Sequence, residues 1–201
     1  MSDDFDLPPE GMQPFTVSFP PAPQWIPNQQ LLSLMGEGLL AIAGQSLDYF
    51  QRGDEYARRQ VVHSEAAPWW IGGGKQLIVA MPTLLPGRAG QQQFQDVSGE
   101  FGKVALRVTT FVVDVVHPWP TIRGGETGKY ADPDEVIAAR HGLWRDHFIV
   151  RSALLAYSLG GVTLDPPIQS PGYGRALVGE SRSKGPAGGL ASIATMVDLG
   201  W

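Results

Sequence analysis

The chain has 201 residues, 43% of them hydrophobic and 17% charged, which suits one domain burying roughly 70% of its unfolded surface and makes a second full domain unexpected. Fifteen basic residues against twenty acidic ones give a net charge of −5, which disfavours nonspecific binding to phosphate backbones. The absence of cysteine excludes disulfide frameworks, thiolate metal sites and cysteine nucleophiles.

Glycine and proline together make up about a fifth of the chain, above average usage but below the level that signals general disorder. A folded core with long loops and a loose end is expected. Residues 1–6 are acidic where a secretory signal would be basic, and no apolar run approaches the roughly 18 residues of a bilayer span. No membrane association is expected, and the protein is expected to be made in the cytoplasm without export by that route.

Residues 1–27 carry Pro8, Pro9, Pro14, Pro20, Pro21, Pro23 and Pro27, whose rings exclude helix interiors and central strands. An extended Pro-rich arm results. Phe5, Phe15, Val17, Phe19, Trp25 and Ile26 make it too apolar for an idle solvated tail, so it either packs on its own domain or lies along a neighbouring subunit. From Asn28 a helical period takes over through Leu31, Met35, Leu39, Ile42 and Phe50, with Asn28 placed to cap and Gly53 to stop the helix.

Two strands follow, at residues 58–64 and 76–81, separated by Pro68-Trp69-Trp70-Ile71-Gly72-Gly73-Gly74. Residues 82–102 are polar and rich in glutamine at Gln91, Gln92, Gln93 and Gln95, and read as a projecting loop. Residues 103–116 form the strongest strand, apolar on both faces and therefore central.

Asp132-Pro133-Asp134-Glu135 opens a second helix: Asp132 can accept free N–H groups, Pro133 suits the first position, and Glu135 completes a capping box. Val136, Ile137, Leu143, Trp144, Phe148, Leu154, Leu155 and Tyr157 carry its apolar stripe to a stop at Gly160-Gly161, about 40 Å at 1.5 Å per residue. Residues 175–180 and 190–199 then form a closing hairpin around the turn residues 183–189. The expected fold is α+β, a mostly antiparallel sheet with two helices packed on one face, in a single domain spanning residues 28–201.

Conventional chemistry finds no anchor. His63, His117, His141 and His147 lack ligand spacing, since the two on the second helix differ by six. The strings Gly44-Gln45-Ser46 and Gly179-Glu180-Ser181 lack the second glycine of a nucleophile elbow. Gly72-Gly73-Gly74-Lys75 lacks the Ser or Thr and the leading glycine of a phosphate loop. Gly36-Glu37-Gly38 lies inside a helical period with no strand feeding it, so these glycines are expected to permit close packing. Capping accounts for Asp132, Asp134 and Glu135 without a divalent ion. No catalytic, cofactor or metal residues are assigned.

Candidate interface residues are Phe15, Phe19, Trp25, Trp69, Trp70, Gln91, Gln92, Gln93, Phe94 and Trp201, with Trp119 beside them, because large aromatics anchor interfaces and the loop and arm reach outward. The alternative for the tryptophans is plain core. Arg58-Arg59 and Arg182-Ser183-Lys184 read either as solvated strand ends or as isolated charges lining a DNA passage.

The strand 104–116 followed by Pro118-Trp119-Pro120-Thr121, the helix opening Ala131-Asp132-Pro133-Asp134-Glu135-Val136, and Gly185-Pro186-Ala187-Gly188-Gly189-Leu190-Ala191 leading into the last strand carry a resemblance. Over residues 28–201 the chain resembles the tail terminator proteins of long-tailed, non-contractile (siphovirus-type) bacteriophages, especially those of actinobacterial hosts. The Pro-rich arm and the Gln-rich loop depart from the smaller members.

The resemblance implies a structural virion protein of the tail and neck, assembled in the host cytoplasm. It would form a homo-oligomeric ring, typically a hexamer, that caps the tail tube, halts its polymerisation and offers a face for head-tail joining. The implied partners are other copies of itself, the tail tube protein and a head-completion or stopper protein, with DNA only passing through the lumen. No cofactor or catalysis comes with it. The other readings are a different neck component such as a head-tail stopper or adaptor, an enzyme assembled from scattered residues such as Asp114, His117 and His147, and a small-molecule binding domain walled by Trp69 and Trp70.

Overall fold

A computed structural model describes residues 15–18, 28–63, 73–81, 92–99, 102–120, 132–165, 176–187 and 189–200. In chain order the elements are β1 (Phe15–Ser18), α1 (Asn28–Tyr49), a 3-10 turn (Gly53–Glu55), β2 (Tyr56–His63), β3 (Lys75–Met81), β4 (Gln92–Gly99), β5 (Gly102–Pro118), α2 (Pro133–Ser158), β6 (Val162–Asp165), β7 (Ala176–Ala187) and β8 (Leu190–Gly200). The main sheet runs β2-β3-β5-β8-β7, with β4 as a further strand on β5. All its pairs are antiparallel except β2 with β3. The fold is α+β.

Strand alternation explains where the core lies. Phe111, Val113 and Val115 of β5 face the helices together with Leu77 and Val79 of β3 and Ile193, Val197 and Leu199 of β8, all buried. From α1, Leu32, Met35, Leu39, Ile42 and Leu47 meet that face, and from α2 so do Leu143, Val150 and Leu154. Both helices thus share one side of the sheet. The opposite side of β5 is buried as well, through Val116 with Ile78 and Leu190, which is why β5 is apolar in both registers.

A Cβ on Gly36 would stand 2.9 Å from Val61 Cγ1 and 3.6 Å from Phe111 Cε1, so this glycine lets α1 lie close on the sheet. The helix ends at Tyr49, earlier than Gly53. Gln51 takes a left-handed φ of 55°, and the Arg52 N–H donates back to the Leu47 carbonyl at 2.8 Å, a closure that needs no glycine. Gly53 serves the following turn instead, because the Asp48 carboxylate occupies the place of a Cβ there.

The second helix starts as its capping residues dictate. Asp132 accepts from the Asp134 N–H at 3.0 Å with Pro133 in the first turn, and Gly160, at φ 78°, lies just beyond its end. The expectation of a single apolar stripe is corrected: Leu143 and Leu154 are buried, but Ile137, Trp144, Phe148 and Leu155 are exposed. These four belong to a second face of the helix.

Residues 82–102 were expected to loop, yet residues 92–99 form β4, paired with residues 102–109 of β5. β3 pairs with residues 112–116 along the same edge of β5 and in the same direction, so β3 and β4 are two stretches of one interrupted strand. Residues 102–107 of β5 pair with β4 but not with β8, whose ladder starts at Val108. Among the described residues, that leaves a two-stranded ribbon running about 20 Å past the β8 ladder at 3.4 Å per residue.

The closing hairpin is longer than expected. β7 runs through to Ala187, opposite Leu190, with Gly189 at φ 75° in the tight turn, as two-residue hairpins require. Gly185 and Pro186 fall where the register shifts between Lys184 and Ala187, which is how an edge strand accommodates proline. Within the arm, β1 pairs in parallel with β6, and Gln45 Nε2 donates to the Ser18 carbonyl at 3.1 Å. A strand in the arm was not expected.

Candidate functional site

The sheet end that carries the first residues of β2 and β3 also carries the last residues of β5, because Tyr56 pairs with Lys75 in parallel and Gln76 with Val116 in antiparallel register. Tyr56, Lys75 and His117 are thereby gathered from three strands. α2 crosses this end closely: a Cβ on Gly142 would be 3.9 Å from the His117 ring. One helical turn later Asp146, fully buried, projects into the gap.

Asp146 Oδ2 accepts from the Tyr56 hydroxyl at 3.0 Å and from Lys75 Nζ at 3.1 Å, and His117 Nε2 lies 3.1 Å away. Oδ1 accepts from Arg52 Nε at 3.2 Å. Arg52 and Lys75 both also hold Glu55, from the 3-10 turn before β2. The Tyr56 hydroxyl is 3.0 Å from His117 Nε2. Since the phenol proton goes to Asp146, the imidazole must carry its proton on Nε2 and offer it to the phenol oxygen and the carboxylate.

Burial would raise the Asp146 carboxyl, but the His117 hydrogen bond and the Lys75 charge outweigh it and hold the carboxyl well below its usual range. Burial, reinforced by the Asp146 charge, pushes the Tyr56 phenol far above its ordinary value. His117 is pulled down, by burial first and by the Lys75 charge, against the opposing hydrogen bond to Asp146. The imidazole is therefore neutral at neutral pH, and its contact with Asp146 is a hydrogen bond between a neutral ring and an ion.

An ionised carboxylate saturated by four donors, a neutral imidazole and a phenol that keeps its proton hold charge in place. The cluster clamps α2 onto β2, β3, β5 and the turn before β2. Lys75, which follows the glycine run, is taken up by Asp146 and Glu55 and begins β3, with Gly74 at φ 99° before it. Gly73 and Gly74 lead directly into β3.

The constellation of Asp114, His117 and His147 does not assemble. Asp114 and His117 are three residues apart on one strand and so point to opposite sides of the sheet. Asp114 is buried on the far side with Lys184 Nζ at 3.5 Å from its Oδ2, whereas His117 joins the Asp146 cluster. His147 packs edge-on against Trp144, with ring centroids 5.9 Å apart. Its Nδ1 is buried with no hydrogen-bond partner among the described residues. Burial, helped by the Arg151 charge, lowers its pKa from 6.5 to about 4.

Among the candidate interface residues, Gln92, Gln93 and Phe94 lie in β4 opposite Thr109, Val108 and Arg107, and Phe15 lies in β1 opposite Val162. Phe19, Trp25, Trp69, Trp70, Gln91 and Trp201 lie outside the described residues. Trp119 is half-buried against the core, and its N–H donates to the Gly189 carbonyl at 2.8 Å. Of the basic clusters, Arg59 forms a two-pronged pair with Asp48, Lys184 meets Asp114 and Arg182 meets Glu180 at 3.7 Å.

Among the described residues, no group of three or more His, Asp or Glu side chains is arranged to hold a metal ion, and no helix is long and apolar enough to cross a membrane. No protein-family model matches the chain, and no curated protein matches its sequence.

Proposed function

We propose that the protein is a tail terminator of a long-tailed, non-contractile bacteriophage. It is a structural subunit whose ring caps the tail tube, stops its polymerisation and provides the surface for head-tail joining. The observation that carries the reading is the β4–β5 ribbon. Among the described residues, residues 102–107 of β5 have a ladder partner in β4 and none in β8, so the ribbon reaches past the β8 ladder. Strand edges are hazards unless something pairs with or covers them. In a cyclic ring each subunit offers one surface and accepts a different one, and a projecting ribbon supplies the offered surface from a compact domain.

The sequence of elements adds support: helix, two strands, long strand, long capped helix and closing hairpin occur in the order on which the resemblance to terminators rests, with β4 in place of the expected loop and β6 inserted before the hairpin. The Asp146 clamp fits a rigid subunit that must keep its shape under assembly contacts.

Electron microscopy of particles made by a phage deleted for this gene tests the proposal. Tails of uncontrolled length, unattached to heads, are expected. Tails of uniform length that fail to join filled heads would overturn termination and point to a head-tail stopper or adaptor.

A further inference from the structure

The exposed side of α2 follows a period of eleven residues. Ile137, Phe148 and Leu159 stand eleven apart, as do Trp144 and Leu155, and His141 and Ser152. This period keeps all seven positions within about 80° of the helix circumference and asks for little supercoiling. Ile137, Trp144, Phe148, Leu155 and, just beyond the last turn, Leu159 are exposed, Phe148 by 61% and Leu159 by 85%. His141 is exposed as well, and Ser152 is half-buried. The stripe is about 33 Å long at 1.5 Å per residue, and contiguous apolar patches of this kind mark docking surfaces.

The stripe reads alike from either end. Counted from Phe148, Trp144 and Ser152 lie four residues away, His141 and Leu155 seven, and Ile137 and Leu159 eleven. An antiparallel second copy centred on Phe148 therefore sets Ile137 on Leu159, His141 on Leu155 and the large Trp144 on the small Ser152, each contact occurring twice. That is the self-matching a two-fold interface requires. Scaled by their exposures, the five apolar side chains leave about 500 Å² open on each copy, so the pair would cover about 1,000 Å², where specific interfaces begin.

Charge selects the antiparallel arrangement. The first turn of α2 carries the exposed Asp134 and Glu135, and its middle the exposed Arg140, His141 and Arg145. Two copies packed in parallel would set Asp134, Glu135, Arg140 and Arg145 each against its own kind. In the antiparallel register the acidic turns stand at opposite ends of the pair, and Arg140 meets Ala156. Arg145 approaches Arg151 of the other copy, whose guanidinium is drawn away toward β7 by the Gly179 carbonyl at 2.8 Å and Ser181 Oγ at 2.9 Å. A register shifted to join Glu135 to Arg145 would centre on Arg140, set that cation on its own copy, and leave Phe148, Leu155 and Leu159 uncovered.

We propose that two copies of the chain associate through the exposed stripes of α2, antiparallel about a two-fold axis at Phe148. The steps of a cyclic ring are heterologous, so this pairing neither requires nor builds one, and it stands without the terminator reading.

Because the protein has no cysteine, introduced thiols are the only ones present. Phe148→Cys, on the axis, is expected to form an intermolecular disulfide under copper phenanthroline oxidation at least tenfold faster than Leu177→Cys, an exposed position on β7. Ile137→Cys and Leu159→Cys are expected to link to each other when mixed at least tenfold faster than either links alone. Without crosslinking, the mass of the full chain in sedimentation is expected to rise from 21.7 kDa toward twice that between about 1 and 200 µM, the range suited to so small an interface. Phe148→Glu, with an unchanged circular dichroism spectrum, should raise the dissociation constant at least tenfold. A monomer throughout that range, Phe148→Cys linking no faster than the control, or Ile137→Cys linking readily to itself would overturn the proposal. A hexamer indifferent to Phe148→Glu would also overturn it, while leaving the terminator reading intact.

Discussion

Replacing Asp146 by Ala removes the carboxylate on which α2, β2, β3, β5 and the turn before β2 converge. The change leaves Arg52 and Lys75 with Glu55 as their remaining anion, and leaves the Tyr56 hydroxyl and His117 Nε2 without their shared acceptor. Breaking a buried ion pair by deleting one partner costs about 3–5 kcal/mol, because a charge stays behind unpaired. Lys75 retains some access to solvent, with 17% of its side chain exposed, which places the expectation near 3 kcal/mol. For a domain whose total stability is about 5–15 kcal/mol, that is a large fraction, readable as a lower urea midpoint by circular dichroism at pH 7. A cycle with Lys75→Met should show a coupling of at least 1 kcal/mol, since directly contacting residues are non-additive. An Asp146→Ala cost below about 1 kcal/mol, or strict additivity with Lys75→Met, would refute the claim that this carboxylate organises the clamp. The sign of the pH dependence also follows. The folded carboxyl lies below its unfolded value of 3.8, so its contribution is complete above that pH and is lost as the pH falls through the folded value. Asp146→Asn should flatten this acid limb.

Three further outcomes are expected. His147, lowered by burial and Arg151 from 6.5 to about 4, stabilises the fold as the neutral ring. Its contribution is complete above pH 6.5 and falls by about 3 kcal/mol as the pH drops to 4, at about 1.4 kcal/mol per pKa unit. NMR titration of this ring gives the midpoint directly, and a midpoint above 6 would contradict the assignment. Asp132→Ala should cost about 1 kcal/mol through the lost cap while Asp132→Asn costs little, measured by urea unfolding; equal losses would show that the cap contact is unimportant. Gly53→Ala should cost about 1–3 kcal/mol through overpacking against the Asp48 carboxylate, and the penalty should shrink in an Asp48→Ala background. A penalty unchanged by that background would place the conflict elsewhere.

What could be read from the residues followed the range of the forces involved. The start of α2 was legible because capping is local chemistry among Asp132, Pro133 and Asp134, and the centrality of β5 because both its faces are apolar. β4 was missed because Gln92, Gln93 and Gln95 carry no strand preference, and it forms by pairing with β5. The parallel pairing of β2 with β3 and the four-residue strands β1 and β6 depend on partners distant in sequence. The Asp146 cluster draws on residues as far apart as Arg52 and Asp146, and no local pattern announces such an assembly. Two signals were present in the sequence. The three-residue separation of Asp114 and His117 already placed them on opposite faces of a strand, and the spacing of Ile137, Trp144, Phe148 and Leu155 already set them apart from Leu143 and Leu154.

The most direct test of the terminator account is a cryo-electron microscopy reconstruction of the head-proximal end of the tail in intact virions. The account predicts a closed ring of this chain, typically six-fold, seated on the last tail-tube layer, with each β4–β5 ribbon lying against the neighbouring subunit. Finding the chain elsewhere in the particle, or finding the ring at that position built from another protein, would contradict it.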